Sequence, residues 1–301
     1  MKLKSGQTRK EFIRNLSVIV GASALPGSLF ASTGSKAGDK MKLGLVTYQW
    51  AKDWDVPTII KNCKEANILG VELRVDHAHG VNYNMNAKQR AEVRKQFNDS
   101  PVEIVGMGTN EQYDWLEPEK VKESIEITKK WLQLSKDIGG SGVKVKPNAL
   151  HTDKVSKEKT LEQIGKALNE LGQYALDMGQ KIRLEVHGNK TQELPNIKEI
   201  MDQVHNKGAK VCWNCNDQDL IGQGIDYNFN LVKNKLGDTC HVRELNVGDY
   251  PYQHLMDLFV GVDFDGWILL ECRTDPADKV AALKEQHAVW EKMVASAQSR
   301  V

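Results

Sequence analysis

Short apolar, β-branched runs alternate with longer stretches of helical periodicity from Lys42 onward. Such runs are typical of buried parallel strands, and the periodic stretches are typical of the amphipathic helices that cover them. In the fourth helical stretch, apolar positions recur at Leu161, Ile164, Leu168 and Leu171. The pattern predicts strands over Lys42–Tyr48, Gly70–Val75, Val102–Gly106, Gly142–Lys146, Lys181–Val186, Ala209–Trp213, His241–Leu245 and Gly266–Glu271.

Amphipathic helices are predicted over Val56–Ala66, Ala87–Phe97, Glu119–Ile138, Lys157–Met178, Leu194–Lys207, Tyr227–Leu236, Tyr252–Val260 and Pro276–Ser296. Eight successive strand–helix units favour closure into a (β/α)8 barrel, for which roughly 250 residues are typical. The sequence has no glycine-rich dinucleotide loop after the first strand and no Walker-type phosphate loop, which disfavours the other common parallel α/β folds. The prediction is an α/β protein with a single (β/α)8 TIM barrel over residues 42–297 and a short tail over 298–301.

The amino-terminal segment has a different pattern. Residues 1–14 are basic, and Leu16 to Ala31 are apolar or small. This order is typical of an export signal, so we predict a signal peptide over residues 1–31, a flexible linker over 32–41 and an exported, periplasmic protein. The apolar stretch is short for a membrane span, so membrane contact is expected only through the signal. Lys10 occupies the second-arginine position of a twin-arginine-like motif, which leaves the export route open.

The charge balance depends on this segment. The whole chain of 301 residues has 41 Lys+Arg and 40 Asp+Glu, but without residues 1–31 there are 36 basic and 39 acidic residues. A mildly acidic mature protein is not expected to bind nucleic acid. Cys212 and Cys215 have C-x-x-C spacing, but no second pair completes a zinc site, so we expect buried residues near strand ends.

In a (β/α)8 barrel, functional residues lie at the carboxyl ends of the strands. Alternation along the fifth strand directs Glu185 and His187 to the barrel axis, where a lone carboxylate is unfavourable. Glu271 at the end of the eighth strand is in the same position. With His241 on the seventh strand, these carboxylates indicate a divalent cation.

The structural alternatives are salt bridges of Glu185 and Glu271 with nearby arginines, such as Arg183 and Arg273, and a packed core role for His241. Other polar or aromatic residues near strand ends are candidates for substrate binding or auxiliary proton transfer, although each could instead be exposed or packed. These residues are Trp50, Glu72, His77, His79, Lys146, His187 and Arg243.

Five short motifs follow one another along the predicted barrel: Gly70-Val71-Glu72, Leu184-Glu185, Cys212-Trp213-Asn214, His241-Val242-Arg243-Glu244 and Leu270-Glu271. In this order they resemble the xylose-isomerase-like TIM barrels, the sugar phosphate isomerase/epimerase superfamily, in an exported bacterial type. The superfamily includes ketose 3-epimerases and endonuclease IV. The resemblance covers about residues 42–297, and the acidic charge disfavours the endonuclease branch.

The resemblance implies one divalent metal ion (Mn, Mg, Co or Zn) held by Glu185, Asn214, His241 and Glu271. Asn214 stands where the family usually has an aspartate, so the site would carry two carboxylates instead of three. An amide oxygen can still bind a hard cation, but it adds no negative charge.

The resemblance also implies a sugar isomerase or epimerase that removes a proton next to a carbonyl and stabilises an enediolate with the metal. Glu185 and Glu271 would move protons on opposite sides of the sugar carbon, with Lys146 and His187 as substrate contacts or auxiliary acid/base groups. His77, His79, Glu72, Arg243 and Trp50 would contact the substrate. We expect a small sugar or glycoside, uncharged if the protein is exported, and a homo-oligomer remains possible.

Two alternatives remain open on the sequence. A lyase or hydratase could act on a keto-sugar or 3-keto-glycoside by β-elimination with the same residues. A non-catalytic carbohydrate-binding barrel would not require Glu185, His241 and Glu271 to converge on a metal.

Overall fold

The computed structural model describes residues 36–301, in which eight parallel strands close into a barrel. Each strand pairs with its sequence neighbours, and the first strand also pairs with the last. The strands are β1 Lys42–Val46, β2 Gly70–Arg74, β3 Glu103–Gln112, β4 Gly142–Lys146, β5 Lys181–Glu185, β6 Ala209–Asn214, β7 Leu236–Val242 and β8 Trp267–Leu270. The predicted (β/α)8 TIM barrel is therefore confirmed.

Eight α-helices follow the strands of the described chain. They are α1 Val56–Glu65, α2 Ala87–Asn98, α3 Pro118–Ile138, α4 Lys157–Asp177, α5 Leu194–Asp202, α6 Gly224–Val232, α7 Tyr252–Gly261 and α8 Lys279–Gln298. The helical period predicted for α4 is confirmed, because Leu161, Ile164, Leu168 and Leu171 are all buried. Helix α1 begins where the side chain of Asp55 accepts a hydrogen bond from the Thr58 backbone N–H.

The seventh strand differs most from its prediction. It begins at Leu236 and ends at Val242, so His241 lies near its carboxyl end instead of opening it. The sequence pattern predicted a helix over Tyr227–Leu236 and a strand only from His241, so it left the polar segment around Asp238 outside both elements. The structure satisfies these polar groups at the amino end of the barrel, and α6 ends earlier, at Val232.

A buried ion pair closes the amino end of the barrel. Arg183 is fully buried, and its Nε donates to Asp238 Oδ1 at 2.8 Å, while Lys181 Nζ lies 2.8 Å from Asp238 Oδ2. Arg183 Nη2 also donates to Ser141 Oγ. Arg183 thus forms its ion pair with Asp238, and the alternative in which it pairs with Glu185 is wrong.

Residues 36–41, the end of the predicted linker, form a turn against the barrel. The Gly38 N–H donates to Asp263 Oδ1, and Gln298 Nε2 donates to the Ala37 carbonyl. The predicted signal peptide lies outside the described residues. Within residues 36–301, no helix is long and apolar enough to cross a membrane. All five cysteines are buried free thiols, as expected.

Candidate metal centre at the carboxyl end of the barrel

Three side chains converge at the carboxyl ends of the strands. Glu185 ends β5, His241 is the penultimate residue of β7, and Glu271 directly follows β8. Their ligand atoms all lie within 4.8 Å of one another. His241 Nδ1 is 3.4 Å from Glu185 Oε1 and 3.9 Å from Glu271 Oε2. We call this group the candidate metal site.

The geometry and the unsatisfied atoms of the candidate metal site fit a divalent cation. Ligands held at roughly 2.1 Å in a tetrahedron lie about 3.4 Å apart. Two of the separations here are 3.4 and 3.9 Å, and all three ligand atoms lie within 4.8 Å of one another. His241 Nδ1 is buried and has no hydrogen-bond partner among the described residues. An imidazole with two carboxylates is a donor set that divalent transition metals accept. Glu271 is the most accessible of the three, with 13% of its side chain exposed.

Glu72 supports His241 from the opposite side of the ring. Its Oε1 lies 3.2 Å from His241 Nε2, and both side chains are fully buried. A Cβ atom at Gly108 would lie 2.6 Å from this oxygen, so the missing side chain makes room for the carboxylate. Neither this oxygen nor His241 Nε2 makes a hydrogen bond among the described residues, so the contact is an electrostatic one between the carboxylate and the ring. Sequence reasoning predicted that Glu72 contacts substrate; in the structure it is fully buried against His241.

Lys144 is the important residue that sequence reasoning did not single out. Its Nζ lies 2.8 Å from Glu185 Oε2, both side chains are 2% exposed, and the ammonium also donates to the Thr109 carbonyl. The available signal was alternation, since Lys144 shares the inward face of β4 with Lys146. The two carboxylate oxygens of Glu185 therefore have different neighbours: Oε2 faces Lys144 and Oε1 faces His241.

The electrostatics of this pair favour both charged forms. Burial alone would lower the pKa of Lys144, but the carboxylates of Glu185, Glu72 and Glu271 outweigh it and raise that pKa. Burial would raise the pKa of Glu185, but the Lys144 ammonium and His241 hold it well below its usual value. Glu185 is consequently a carboxylate that resists protonation.

Asn214 ends β6 and is 3% exposed. Its Nδ2 donates to Glu185 Oε1 at 3.2 Å, so the amide nitrogen faces the candidate metal site. Ligation through the amide oxygen would require the side-chain amide to rotate by half a turn. In the arrangement observed, Asn214 instead holds the oxygen of Glu185 that faces His241.

Lys146 and His187 lie at the mouth of the barrel above this site. Lys146 is half-buried, and burial together with the nearby Lys144 charge lowers its pKa to about 8. His187 Nδ1 is 4.0 Å from Glu185 Oε1, and burial lowers the pKa of the imidazole. A Cβ atom on the next residue, Gly188, would overlap the Asn148 carbonyl at 1.8 Å, so only glycine allows the two loops to meet there.

Two residues predicted to bind substrate have structural partners instead. His79 donates from Nε2 to the Arg74 carbonyl and accepts from the Val81 N–H at Nδ1, which leaves no free ring nitrogen. Burial lowers the pKa of His79 to about 4, so the ring stays neutral. Trp50 is 2% exposed, and its indole N–H donates to the Thr274 carbonyl. Both residues therefore fix loops at the mouth of the barrel.

The other two predicted substrate contacts keep unsatisfied nitrogen atoms. His77 and Arg243 are both partly buried, and neither His77 Nδ1 nor Arg243 Nε has a hydrogen-bond partner among residues 36–301. Arg243 directly follows β7, and His77 lies in the loop after β2. These two side chains remain candidates for substrate binding.

Comparison with known families gives one match that covers most of the chain. The family described as xylose isomerase-like TIM barrel matches residues 60–293. A search of curated proteins finds no match.

Similar solved structures have the same barrel at low sequence identity. An L-ribulose 3-epimerase is 13% identical with a TM-score of 0.72, over 86% of this chain and 96% of the other. A 3-keto-D-glucoside 4-epimerase from E. coli is 14% identical with a TM-score of 0.69, over 84% and 100%. The IOLI protein with a bound zinc atom is 15% identical with a TM-score of 0.70, over 85% and 99%.

Proposed function

The chain belongs to the xylose isomerase-like TIM barrel family, and from this premise we propose that it is a metal-dependent sugar isomerase or epimerase. The observation that carries the proposal is that Glu185 and Glu271 converge on the buried His241 Nδ1, which has no hydrogen-bond partner among residues 36–301. The similar structures named as sugar epimerases, and the zinc-containing relative, support the same reading.

Glu185, His241 and Glu271 would hold a divalent cation, which when bound supplies Lewis-acid polarisation of a sugar carbonyl. The protein residues then divide the remaining work. Glu271 is the more accessible carboxylate and makes no ion pair with a lysine of residues 36–301, so we assign it the removal of the proton next to the carbonyl. Glu185 is tied to Lys144 and resists protonation, so we assign it mainly to metal binding.

Lys146 and His187 are proposed to act beside the candidate metal site, Lys146 as a substrate contact and His187 as an auxiliary acid/base group. His187 Nδ1 lies 4.0 Å from Glu185 Oε1, and burial lowers the pKa of its imidazole, which favours the neutral ring that can accept a proton. His187 would exchange a proton with the sugar carbon or with its neighbouring hydroxyl oxygen.

The direct test is isotope exchange with metal-supplemented protein in heavy water. Ketoses such as D-fructose and L-ribulose are incubated, and the carbon-bound deuterium and product sugars are measured by NMR and mass spectrometry. We expect deuterium in an intact sugar, lost in Glu271→Gln. Absence of exchange across a panel of ketoses and 3-keto-glycosides would contradict the proposal.

A lyase is the second candidate, because His187 could protonate a leaving group as well as a carbon atom. One of the similar structures is named as an enzyme of a 3-keto-glucoside, a substrate type that can also eliminate its aglycone. The same experiment with a 3-keto-glycoside separates the two reactions. Release of the aglycone supports the lyase, and an epimer that keeps its aglycone supports the epimerase.

A further inference from the structure

Two cations at the mouth of the barrel share one uncharged partner. Arg74 ends β2 and Lys146 ends β4, and the Asn110 side chain on the intervening β3 accepts from both. Arg74 Nη1 and Lys146 Nζ each lie 3.1 Å from Asn110 Oδ1. We call Arg74 and Lys146 the rim pair. An amide oxygen thus holds two positive charges side by side without neutralising either one.

The rim pair has no carboxylate partner in the described chain. No Asp or Glu oxygen of residues 36–301 lies within 4.0 Å of a nitrogen of Arg74 or Lys146. Arg74 Nε is buried and makes no hydrogen bond. The guanidinium carbon lies 5.4 Å from the centre of the Tyr48 ring, which restricts the orientation of the fork. Donors that are buried and unpaired are unfavourable unless something else satisfies them.

The cations at the amino end of the barrel have a different environment. There, Arg183 and Lys181 share the carboxylate of Asp238 at 2.8 Å. Among residues 36–301, the cations at the closed end therefore contact a carboxylate directly, whereas Arg74 and Lys146 at the mouth do not. Since like charges held together repel, the unpaired arrangement is stable only at a free-energy expense that a bound anion would remove.

The rim pair also lies close enough to the candidate metal site to act on the same small molecule. Val145 pairs with Leu184 between β4 and β5, so Lys146 stands beside Glu185 on neighbouring strands. Neighbouring strands are about 4.8 Å apart. The charges of Glu185 and Glu271 also act on the Lys146 ammonium, so Lys146 and the candidate metal site belong to the same mouth of the barrel.

We propose that the rim pair of Arg74 and Lys146 binds a carboxylate or phosphate group of the substrate, which makes the substrate an anionic sugar. This deepens the proposed function and rests on it for the identity of the remainder of the molecule. An Arg fork and a Lys ammonium are the usual donors for both groups. The proposal changes the sequence-based expectation of an uncharged sugar.

The test is equilibrium binding by calorimetry with the full metal-supplemented protein at fixed ionic strength. The ligands are D-glucose, D-glucuronate and D-glucose 6-phosphate, which share a ring and differ in charge. The informative variant is Asn110→Asp, which is nearly isosteric and supplies the rim pair with an internal carboxylate. Arg74→Gln removes a cation directly, and Arg94→Gln on α2 is the matched control, because Arg94 is exposed and has no ion-pair partner among the described residues.

We expect the wild type to bind at least one anionic sugar more tightly than glucose. Asn110→Asp and Arg74→Gln should each weaken binding of that anionic sugar by roughly 10- to 100-fold more than they weaken binding of glucose, and should match Arg94→Gln in melting behaviour. Preference for glucuronate or for the phosphate identifies the anionic group. Equal binding of all three sugars, no binding of either anionic sugar, or an anion preference that survives in both variants would overturn the proposal.

The binding test of the rim pair and the exchange test of the proposed function can succeed or fail independently. Anionic binding that depends on Arg74, together with no isotope exchange in any sugar, supports the rim pair and contradicts the isomerase. Exchange in neutral ketoses with no preference for anionic sugars supports the isomerase and contradicts the rim pair.

Discussion

Removal of the Lys144 ammonium should alter stability and metal binding in opposite directions. At 2.8 Å from Glu185 Oε2, its attraction to the carboxylate is about 6 kcal/mol at an effective dielectric constant of 20. Desolvation offsets part of this, and breaking one side of a buried pair typically destabilises a protein by about 3–5 kcal/mol. Lys144→Met keeps most of the apolar side chain but removes the ammonium and its hydrogen bond to the Thr109 carbonyl, so we expect this loss in the metal-free protein at pH 7.

The same substitution should strengthen metal binding. Glu185 would lose its competing cation and a positive charge beside the bound ion would disappear, so the affinity for Mn²⁺ should rise by at least about tenfold. Urea unfolding of metal-free protein gives the first quantity, and calorimetric titration with Mn²⁺ gives the second. Lys88→Met is the control, since Lys88 is exposed on α2. Metal-free Lys144→Met as stable as wild type, or weaker metal binding, would refute the reasoning.

Three other predictions follow from single contacts. Glu72→Gln should weaken metal binding by about 10- to 100-fold, measured by chelator competition, because His241 loses its orienting carboxylate; unchanged affinity would show that Glu72 does not position the ring. Asp238→Asn should destabilise the fold by about 3 kcal/mol, because Arg183 is buried. Burial would raise the pKa of Asp238, but Arg183 holds it well below its usual value. In the wild type this stabilisation is therefore present above about pH 4 and is lost as the pH falls further. Acid unfolding curves that coincide for wild type and variant would contradict this prediction. Trp50→Phe should lower the melting temperature through the lost bond to Thr274 and leave the sugar affinity unchanged, whereas a large loss of affinity would restore Trp50 as a substrate contact.

The sequence pattern predicted the barrel because each strand–helix unit has its own recognisable hydrophobic periodicity. A buried parallel strand needs only a short apolar run, and each helix needs one apolar face, so both are local properties. The error at β7 arose where a local rule failed. The segment around Asp238 is polar and contains Gly237, yet it is a strand, because Arg183 from β5 satisfies the carboxylate.

Contacts between residues on distant strands could not be predicted from local sequence patterns. Glu185, His241 and Glu271 could be placed at the carboxyl ends because alternation and strand order determine which side chains face inward. Glu72 on β2 and His241 on β7 are not on neighbouring strands, and their contact depends on the curvature and register of the closed barrel. The pairing of Lys144 with Glu185 likewise depends on register, which the sequence of a single strand does not specify.

The central claim is that Glu185, His241 and Glu271 bind a divalent cation, and metal analysis tests it most directly. Purified protein is stripped with chelator, incubated with Mn²⁺, Co²⁺ or Zn²⁺, desalted and measured by plasma mass spectrometry beside Glu271→Gln and His241→Ala. We predict an equimolar amount of at least one of these metals in the wild type and a large loss in both variants. Wild-type protein that retains no metal, or variants that retain as much as the wild type, would contradict the account.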